Sequence, residues 1–352
     1  MDLLLSEVIQ PTGANDACII QSFMPTLDVL AIAQGDRIII YPMEDGFIGE
    51  PNSFQVYGEI EKIVPIQMSY GESGMMLILN DLRTCILQND PDSDSIKIKT
   101  LATGNLTPTS NFPRTPIKIA THPTAIVIKY TNFTIEVFPI SSHCTLDPPL
   151  PITIGCKRII DFAFVGPTSK VTRLAILSEE FNTPPILRVI DIDLMNSSFT
   201  SDPSMDVTLP NDTYKIIPYD PENSSLIIAF SSQQAIRIMY DGLTPTTTTA
   251  TIFTPYQIID MFPMSHNFYV SIDSHLTMRY AKIEEQGPVH FVDFGISVPQ
   301  PISSVSISSS LAFIASNDSD SVLYNIDQES LPCTVRELET FKSTGGTFSF
   351  NS

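Results

Sequence analysis

The sequence predicts an all-β fold, a seven-bladed β-propeller of four-stranded antiparallel blades. The first observation is a hairpin pattern, an apolar run, a short polar turn and a second apolar run, that recurs seven times. The second is its spacing: successive hairpins start 46, 49, 49, 52, 42 and 43 residues apart. A period of about 40–50 residues built from strands is typical of propeller blades. The hairpins occupy residues 28–43, 74–90, 123–140, 172–193, 224–242, 266–284 and 309–327.

The third observation is a gradient of polarity within each repeat. A further apolar segment precedes every hairpin, at 17–24, 61–68, 115–122, 157–164, 213–220, 255–262 and 300–307. A weaker, more polar strand candidate follows most of them, at 52–58, 96–102, 151–155, 249–254 and 289–294. Inner propeller strands are covered on both faces and are continuously apolar, whereas the outermost strand faces solvent. A pair of β-sandwiches is the alternative, but it does not require seven near-equal units.

Three segments fall outside this repeat. Residues 1–10 are a candidate for a strand that closes the ring, or for part of a propeller absent from this sequence. The Thr-rich run 244–251 is expected to be an exposed connector, and residues 333–341 are the one plausible helix. We therefore expect a propeller over residues 1–330 and an exit segment over 331–352 that leads toward a second propeller.

The charge is strongly acidic, with 19 Lys and Arg against 39 Asp and Glu and a formal net charge of −20. Such a surface repels phosphate backbones, and no basic run offsets it, so direct binding of nucleic acid is disfavoured. The five cysteines are widely spaced without a CxxC pair, which indicates neither a zinc site nor a disulfide framework. The acidic N-terminus is unlike a signal peptide, and no stretch is long and apolar enough for a membrane helix. We expect a soluble intracellular protein.

Catalytic motifs are not found. The sequence contains no GxSxG, no phosphate-binding Gly-rich loop and no HExxH. Asp191 and Asp193 share a strand face, but exposed acids are ordinary at the end of a hairpin strand. A propeller enzyme that uses acids or histidines from several blades with a metal is the alternative, since blades can converge on a central channel. We predict a non-catalytic protein with no cofactor and no metal site.

Collinear motifs extend over residues 1–327. They are EVIQPTGANDACIIQSF (7–23), VYGEIEKI (56–63), MMLILNDLRTCILQ (75–88), ATGN (102–105), HPTAIVIKYTNFTIEVFPI (122–140), CKRIIDFAFV (156–165), IIPYDPENSSLIIAF (216–230), MYDG (239–242) and LAFIASNDSDSVLYNI (311–326). In this order and spacing they resemble the damage-specific DNA-binding protein 1 family. The large splicing factor 3b subunit and the cleavage and polyadenylation specificity factor A subunit share that superfamily.

The resemblance implies the first propeller of a three-propeller adaptor. In that family the second propeller holds a cullin-4 scaffold, and the first and third grip substrate receptors during DNA-damage repair and protein ubiquitination. The implied partners are proteins, in the nucleus and cytoplasm, and this chain alone is not expected to bind a cullin in the family's manner. The ending VLYNI (322–326) is equally similar to the splicing-factor member, so a pre-mRNA processing propeller is the alternative.

The resemblance also implies a partner-binding loop at the last hairpin turn. Ser316, Asp320 and Ser321 match a family loop that faces the receptor-binding cleft. Asn317 and Asp318 depart from it, because they replace a basic and an apolar residue. The competing interpretation is an ordinary exposed β-turn, for which Asn, Asp and Ser are favoured residues.

Overall fold

The computed structural model describes most of the chain. The described residues are 4–9, 13–24, 27–44, 47–67, 73–90, 92–93, 95–108, 118–122, 124–141, 145–165, 172–194, 196–218, 226–232, 234–240, 244–252, 256–265, 268–283, 289–308, 310–327, 334–343 and 347–351. Among them, seven antiparallel sheets of four main strands follow one another along the chain. The predicted fold class, a seven-bladed β-propeller, is confirmed.

The strands lie close to the predicted segments. Strand β1 (Leu4–Ile9) precedes the blades. Blade 1 contains β2 (Asp16–Met24), β3 (Leu27–Gln34), β4 (Arg37–Glu44), the short β5 (Phe47–Ile48) and β6 (Asn52–Gln55). Blade 2 contains β7 (Ile60–Gln67), β8 (Ser73–Leu79), β9 (Arg83–Asn89) and β10 (Ile98–Asn105). Blade 3 contains β11 (Lys118–His122), β12 (Ala125–Lys129), β13 (Thr134–Pro139) and β14 (Leu150–Thr153).

The remaining blades repeat the pattern. Blade 4 contains β15 (Arg158–Val165), β16 (Thr172–Glu179), β17 (Ile186–Asp193), β18 (Ser198–Ser201) and β19 (Val207–Thr208). Blade 5 contains β20 (Lys215–Pro218), β21 (Leu226–Phe230), β22 (Gln234–Met239) and β23 (Thr246–Thr251). Blade 6 contains β24 (Ile258–Ser265), β25 (Phe268–Asp273), β26 (Thr277–Ile283) and β27 (Val289–Ser297). Blade 7 contains β28 (Ile302–Ser308), β29 (Leu311–Ser316), β30 (Ser321–Asp327) and β31 (Thr334–Phe341), and β32 (Thr347–Asn351) follows it.

The contacts divide the chain into two compact units. One unit combines Met1–Leu106 with Phe294–Ser352 and holds blades 1, 2 and 7. The other is Thr107–Asp293 and holds blades 3 to 6, except for the end of β27. Each unit has its own hydrophobic clusters between neighbouring blades, such as the one that Ile32, Phe313 and Leu323 form between blades 1 and 7.

Burial follows the predicted gradient. The second strands are the most buried, as in β12, where all five residues are buried. The fourth strands are the most exposed, as in β18, where all four residues are exposed. The second strand of a blade is uniformly apolar because it lies between two blades and two neighbouring strands, as β12 shows. The outer strand is polar because its residues are exposed, as β18 shows.

Serine hydroxyls join blade 7 to blade 1. The Oγ of Ser306 accepts a hydrogen bond from the Ile19 backbone N–H across 2.8 Å. The Oγ of Ser304 donates to the carbonyl of Ala17 across 3.3 Å, and Ser303 donates to the carbonyl of Ala14. The polar sequence of β28 therefore reflects direct hydrogen bonding to β2.

The predicted helix over 333–341 is wrong. Thr334–Phe341 is instead the outer strand of blade 7, so the blades extend past residue 330. The pairing with β30 shifts between Leu323 and Tyr324, and this irregularity breaks the two-residue alternation of the strand. Val335, Leu338 and Phe341 therefore fall three residues apart, which imitates helical spacing. Leu338 and Phe341 pack against the cluster between blades 1 and 7.

Two further expectations are corrected. The N-terminal strand β1 pairs with β32 in a separate two-stranded sheet, so the option that it closes the ring within a blade is wrong, and the option that it belongs to another propeller stays a prediction. The Thr-rich run expected as a connector forms β23, the outer strand of blade 5. Thr246–Thr249 are exposed, which explains why the run lacks the apolar residues that mark the other strands.

Candidate partner-binding groove

The last hairpin turn, between β29 and β30, is closed by two buried serines. Ser316 and Ser321 are 0% and 4% exposed. The Ser316 backbone N–H donates to the Oγ of Ser321 across 3.0 Å, and that hydroxyl donates back to the Ser316 carbonyl across 3.3 Å. The carbonyl of Ser316 also accepts from the Ala14 N–H across 2.8 Å. Both predicted partner-binding serines thus lie beneath the surface, where they shape the turn.

The Ser316 side chain organises the residues above it. Its Oγ accepts hydrogen bonds from the backbone N–H groups of Asp318 and Ser319, across 3.4 and 3.1 Å, and from the Ser319 hydroxyl across 2.9 Å. Serine is favoured at turns because its hydroxyl can satisfy backbone groups in this way. Asn317 and Asp318 are consequently held at the exposed tip of the turn.

Asp320 connects the turn to the chain beyond β31. Its carboxylate accepts a hydrogen bond from the Ser343 backbone N–H across 2.8 Å. On the other side, the Ser319 hydroxyl accepts from the Gln300 N–H across 3.1 Å. The turn is therefore fixed both to the segment before β28 and to the end of the outer strand.

A surface groove of about 760 Å³ lies between these segments. Of the three predicted residues, Asp320 lines it, whereas Ser316 and Ser321 are buried within the turn and are not among the lining residues. The described lining residues are Ser297, Val298, Pro299, Gln300, Asp318, Ser319, Asp320, Val322, Tyr324, Glu337, Thr340 and Ser343.

The groove is acidic. It contains the carboxylates of Asp318, Asp320 and Glu337, and its described lining includes no Lys, Arg or His. Burial raises the pKa of Tyr324, and the charge of Glu337 raises it further, so the phenol stays protonated. Thr340 donates a hydrogen bond to Glu337 from the same strand. Carboxylates that share a groove with apolar residues such as Val298 and Val322 can accept hydrogen bonds from ammonium and guanidinium groups while aliphatic stems pack on the apolar residues.

Sequence reasoning named Asp320, which lines the groove, but did not name Glu337, which also lines it. The misassigned helix over 333–341 removed Glu337 from the blade, although it lies opposite Tyr324 in the register of β30 and β31. No regular two-residue alternation could have located it, because the strand is irregular at Leu338.

The acids and histidines considered for catalysis lie in separate parts of the fold. His122 is buried at the end of β11, where its Nδ1 lies 2.7 Å from the Thr124 hydroxyl. His275 lies in a turn against the Tyr256 ring, and Asp191 pairs with Arg173 at 2.6 Å. Among the described residues, no three His, Cys, Asp or Glu side chains are grouped so that they could hold a metal ion. His143 and His266 lie outside the described residues.

Comparisons with known proteins give no assignment. No family model matches the chain, and no curated protein matches it significantly. In the part of the chain described above, no helix has the length and apolar character needed to cross a membrane.

Proposed function

We propose that the chain is a non-catalytic protein-interaction module, an adaptor propeller that docks partner proteins through the groove of blade 7. The proposal assigns it the role of the first propeller in the damage-specific DNA-binding protein 1 family, which docks substrate receptors of a cullin-4 ubiquitin ligase. Its expected places of action are the nucleus and cytoplasm, in DNA repair and ubiquitination. The collinear motifs over residues 1–327 support this role.

The observation that carries the proposal is the preorganised turn. Ser316 and Ser321 satisfy the turn from below, and Asp320 fixes it to Ser343, so the tip residues are held in place before a partner arrives. Surfaces that are already ordered lose less conformational entropy on binding, which favours affinity.

The chemistry of the groove favours a basic partner segment. Asp318, Asp320 and Glu337 provide three negative charges on a chain whose net charge is −20. Electrostatic complementarity of this kind accelerates encounter and excludes partners of the same sign. It opposes direct binding of nucleic acid for the same reason.

The test is affinity capture with the intact chain, followed by residue-resolved cross-linking mass spectrometry. We expect ubiquitin-ligase substrate receptors to be captured and their cross-links to map to 297–300, 318–320 and 337–343. The double variant Asp318→Asn/Glu337→Gln should weaken capture, and salt should weaken wild-type capture. The control Glu44→Gln/Glu50→Gln removes the same charge from exposed positions of blade 1 and should capture normally.

A second candidate is a propeller of a splicing factor 3b or cleavage and polyadenylation subunit, favoured by VLYNI (322–326) in β30. Capture of pre-mRNA processing subunits without ubiquitin-ligase receptors would select it over the first. Cross-links that avoid blade 7, or equal capture by both double variants, would reject the groove as the docking site in either case.

A further inference from the structure

A second cavity lies in the other unit, between the outer part of blade 4 and blade 5. Its volume is about 150 Å³. Its described lining residues are Arg173, Val189, Asp191, Thr200, Ser201, Asp202, Met205 and Tyr240.

An interruption of the outer strand of blade 4 forms this cavity. Strand β18 ends at Ser201, a 3₁₀ turn follows over Pro203–Met205, and the short β19 resumes pairing with β17. Asp202 caps the turn, because its Oδ1 accepts from the Ser204 backbone N–H and hydroxyl across 2.9 and 2.8 Å. These two contacts lower the pKa of Asp202. The carboxylate is therefore ionised at neutral pH.

Tyr240 contributes an unsatisfied polar group to this region. The residue is 7% exposed, and its hydroxyl is buried without a hydrogen-bond partner in the structure. Burial raises the pKa of Tyr240, and the charge of Asp206 raises it further, so the hydroxyl keeps its proton. A buried polar group without a partner is destabilising, and such groups are rare in folded proteins.

The charges on the lining residues leave an excess of one carboxylate. Arg173 contacts Asp191 through two nitrogen–oxygen distances, 2.6 and 3.4 Å, so these two groups compensate each other. The described lining includes no second basic residue that could compensate Asp202. Val189 and Met205 supply an apolar wall, and both pack against the cluster that contains Tyr240.

We propose that this cavity binds a primary ammonium group on an unbranched aliphatic stem, as in a lysine side chain. The stem would pack on Val189 and Met205, and the ammonium would donate to Asp202 and to the Tyr240 oxygen. The hydroxyl is shielded in the unliganded chain, so contact requires a side-chain adjustment of the kind that is common on binding. Met205 can give way there, since its side chain is half-buried and flexible. This site is independent of the proposed adaptor role.

The test follows the methyl group of Met205 by NMR in the intact, methionine-methyl-labelled chain. The probe is Nα-acetyl-lysine N-methylamide, and its matched control is the norleucine analogue, which keeps the stem but lacks the ammonium. We expect a saturable shift with the lysine probe only. n-Butylammonium and a lysine-containing peptide, titrated separately, distinguish a site for free amines from one that needs the peptide backbone.

Two variants locate the contact. Asp202→Asn retains a good cap residue and should weaken lysine binding about tenfold, because a charge-assisted hydrogen bond is lost. Tyr240→Phe removes only the unpartnered hydroxyl, so it should preserve stability while weakening binding about threefold. Asp147→Asn makes the same charge change at an exposed position of blade 3 and should bind normally. Three results would overturn the proposal: the Met205 methyl signal does not shift with the lysine probe, it shifts equally with the norleucine analogue, or it shifts in both variants as it does in the wild type. Each would show a cavity that takes only water or apolar groups.

Discussion

The carboxylate of Asp161, in the first strand of blade 4, accepts a hydrogen bond from the backbone N–H of Ile216, in the first strand of blade 5, across 3.0 Å. The other carboxylate oxygen pairs with Lys118 from blade 3. Lys118 also donates to the carbonyl of Phe162 across 3.0 Å. Asp161 thus connects three consecutive blades and is itself 5% exposed.

The same contact occurs in the other unit, between blades 1 and 2. Asp16 accepts from the Ile63 backbone N–H across 2.6 Å, and Lys62 lies 3.5 Å from its second oxygen. Ile63 and Ile216 each follow a lysine within the first strand of their blade, and a proline stands two residues after each of them. A carboxylate that accepts the N–H of the next blade is therefore a repeated element of this fold.

Asp161→Ala should lower the free energy of unfolding by about 3 kcal/mol, because it leaves a buried N–H and a cation without their acceptor. Asp161→Asn should cost only about 1 kcal/mol, since its amide oxygen can still accept from Ile216 and the partly exposed Lys118 can be rehydrated. Urea unfolding followed by far-UV circular dichroism measures both. Equally small losses of unfolding free energy in the two variants would contradict the role of Asp161 as the acceptor that connects the blades.

Much of the fold could be predicted because propeller strands differ in environment. Segments such as 75–79 and 125–129 are continuously apolar, since they are covered on both faces and by strands on both sides. Ser198–Ser201 and Thr246–Thr249 could not be predicted in the same way. They are outer-strand residues whose side chains face solvent, so hydrophobicity does not mark them.

The site was only partly predictable, for a different reason. Asp320 lies in a turn that the local sequence defines, whereas Glu337 joins it through the pairing of β31 with β30. The shift near Leu338 conceals that pairing from any two-residue pattern. The burial of Ser316 and Ser321 also depends on contacts that a turn-forming sequence does not specify.

Cys18 should be unreactive in the native protein. Burial, and then the charge of Asp16, raise the pKa of its thiol to about 12, and the residue is 9% exposed. Only the thiolate reacts with alkylating reagents, so iodoacetamide at pH 8 should label Cys18 in urea but not in buffer. Peptide mass spectrometry can follow this residue separately from the other cysteines. Labelling in buffer at the rate of a free thiol would show that the packing around β2 opens readily and exposes Cys18.

Asp273 should make the fold sensitive to acid. Burial alone raises the pKa of this carboxyl, but hydrogen bonds from Arg279 at 2.8 Å and from the N–H groups of Thr277 and His275 outweigh burial and lower the pKa. The folded value then lies below the unfolded value of about 3.9. The carboxylate therefore stabilises the fold above that pH, and this contribution is lost as the pH falls from about 4 through the folded pKa.

The variant Asp273→Asn tests this dependence. It should lower stability at pH 7 by about 3 kcal/mol, because Arg279 loses a buried partner. Its unfolding free energy should also decline less steeply than that of the wild type below about pH 4. Denaturant titrations from pH 2.5 to 7 compare the two slopes, and parallel curves would exclude Asp273 as a source of the acid sensitivity.

Gly13 should be indispensable at the junction of blades 1 and 7. A Cβ atom there would lie 1.9 Å from the carbonyl oxygen of Asn317, and the neighbouring Ala14 N–H bonds to Ser316 across 2.8 Å. Gly13→Ala must therefore displace backbone, which should cost about 2 kcal/mol or more and accelerate hydrogen exchange at Ala14. Gly155→Ala is the matched control, because a methyl group there would meet no atom within 4 Å beyond its chain neighbours, so it should be neutral or slightly stabilising. If both variants unfold at the same denaturant concentration, the close approach of the turn to Gly13 contributes nothing to closing this junction.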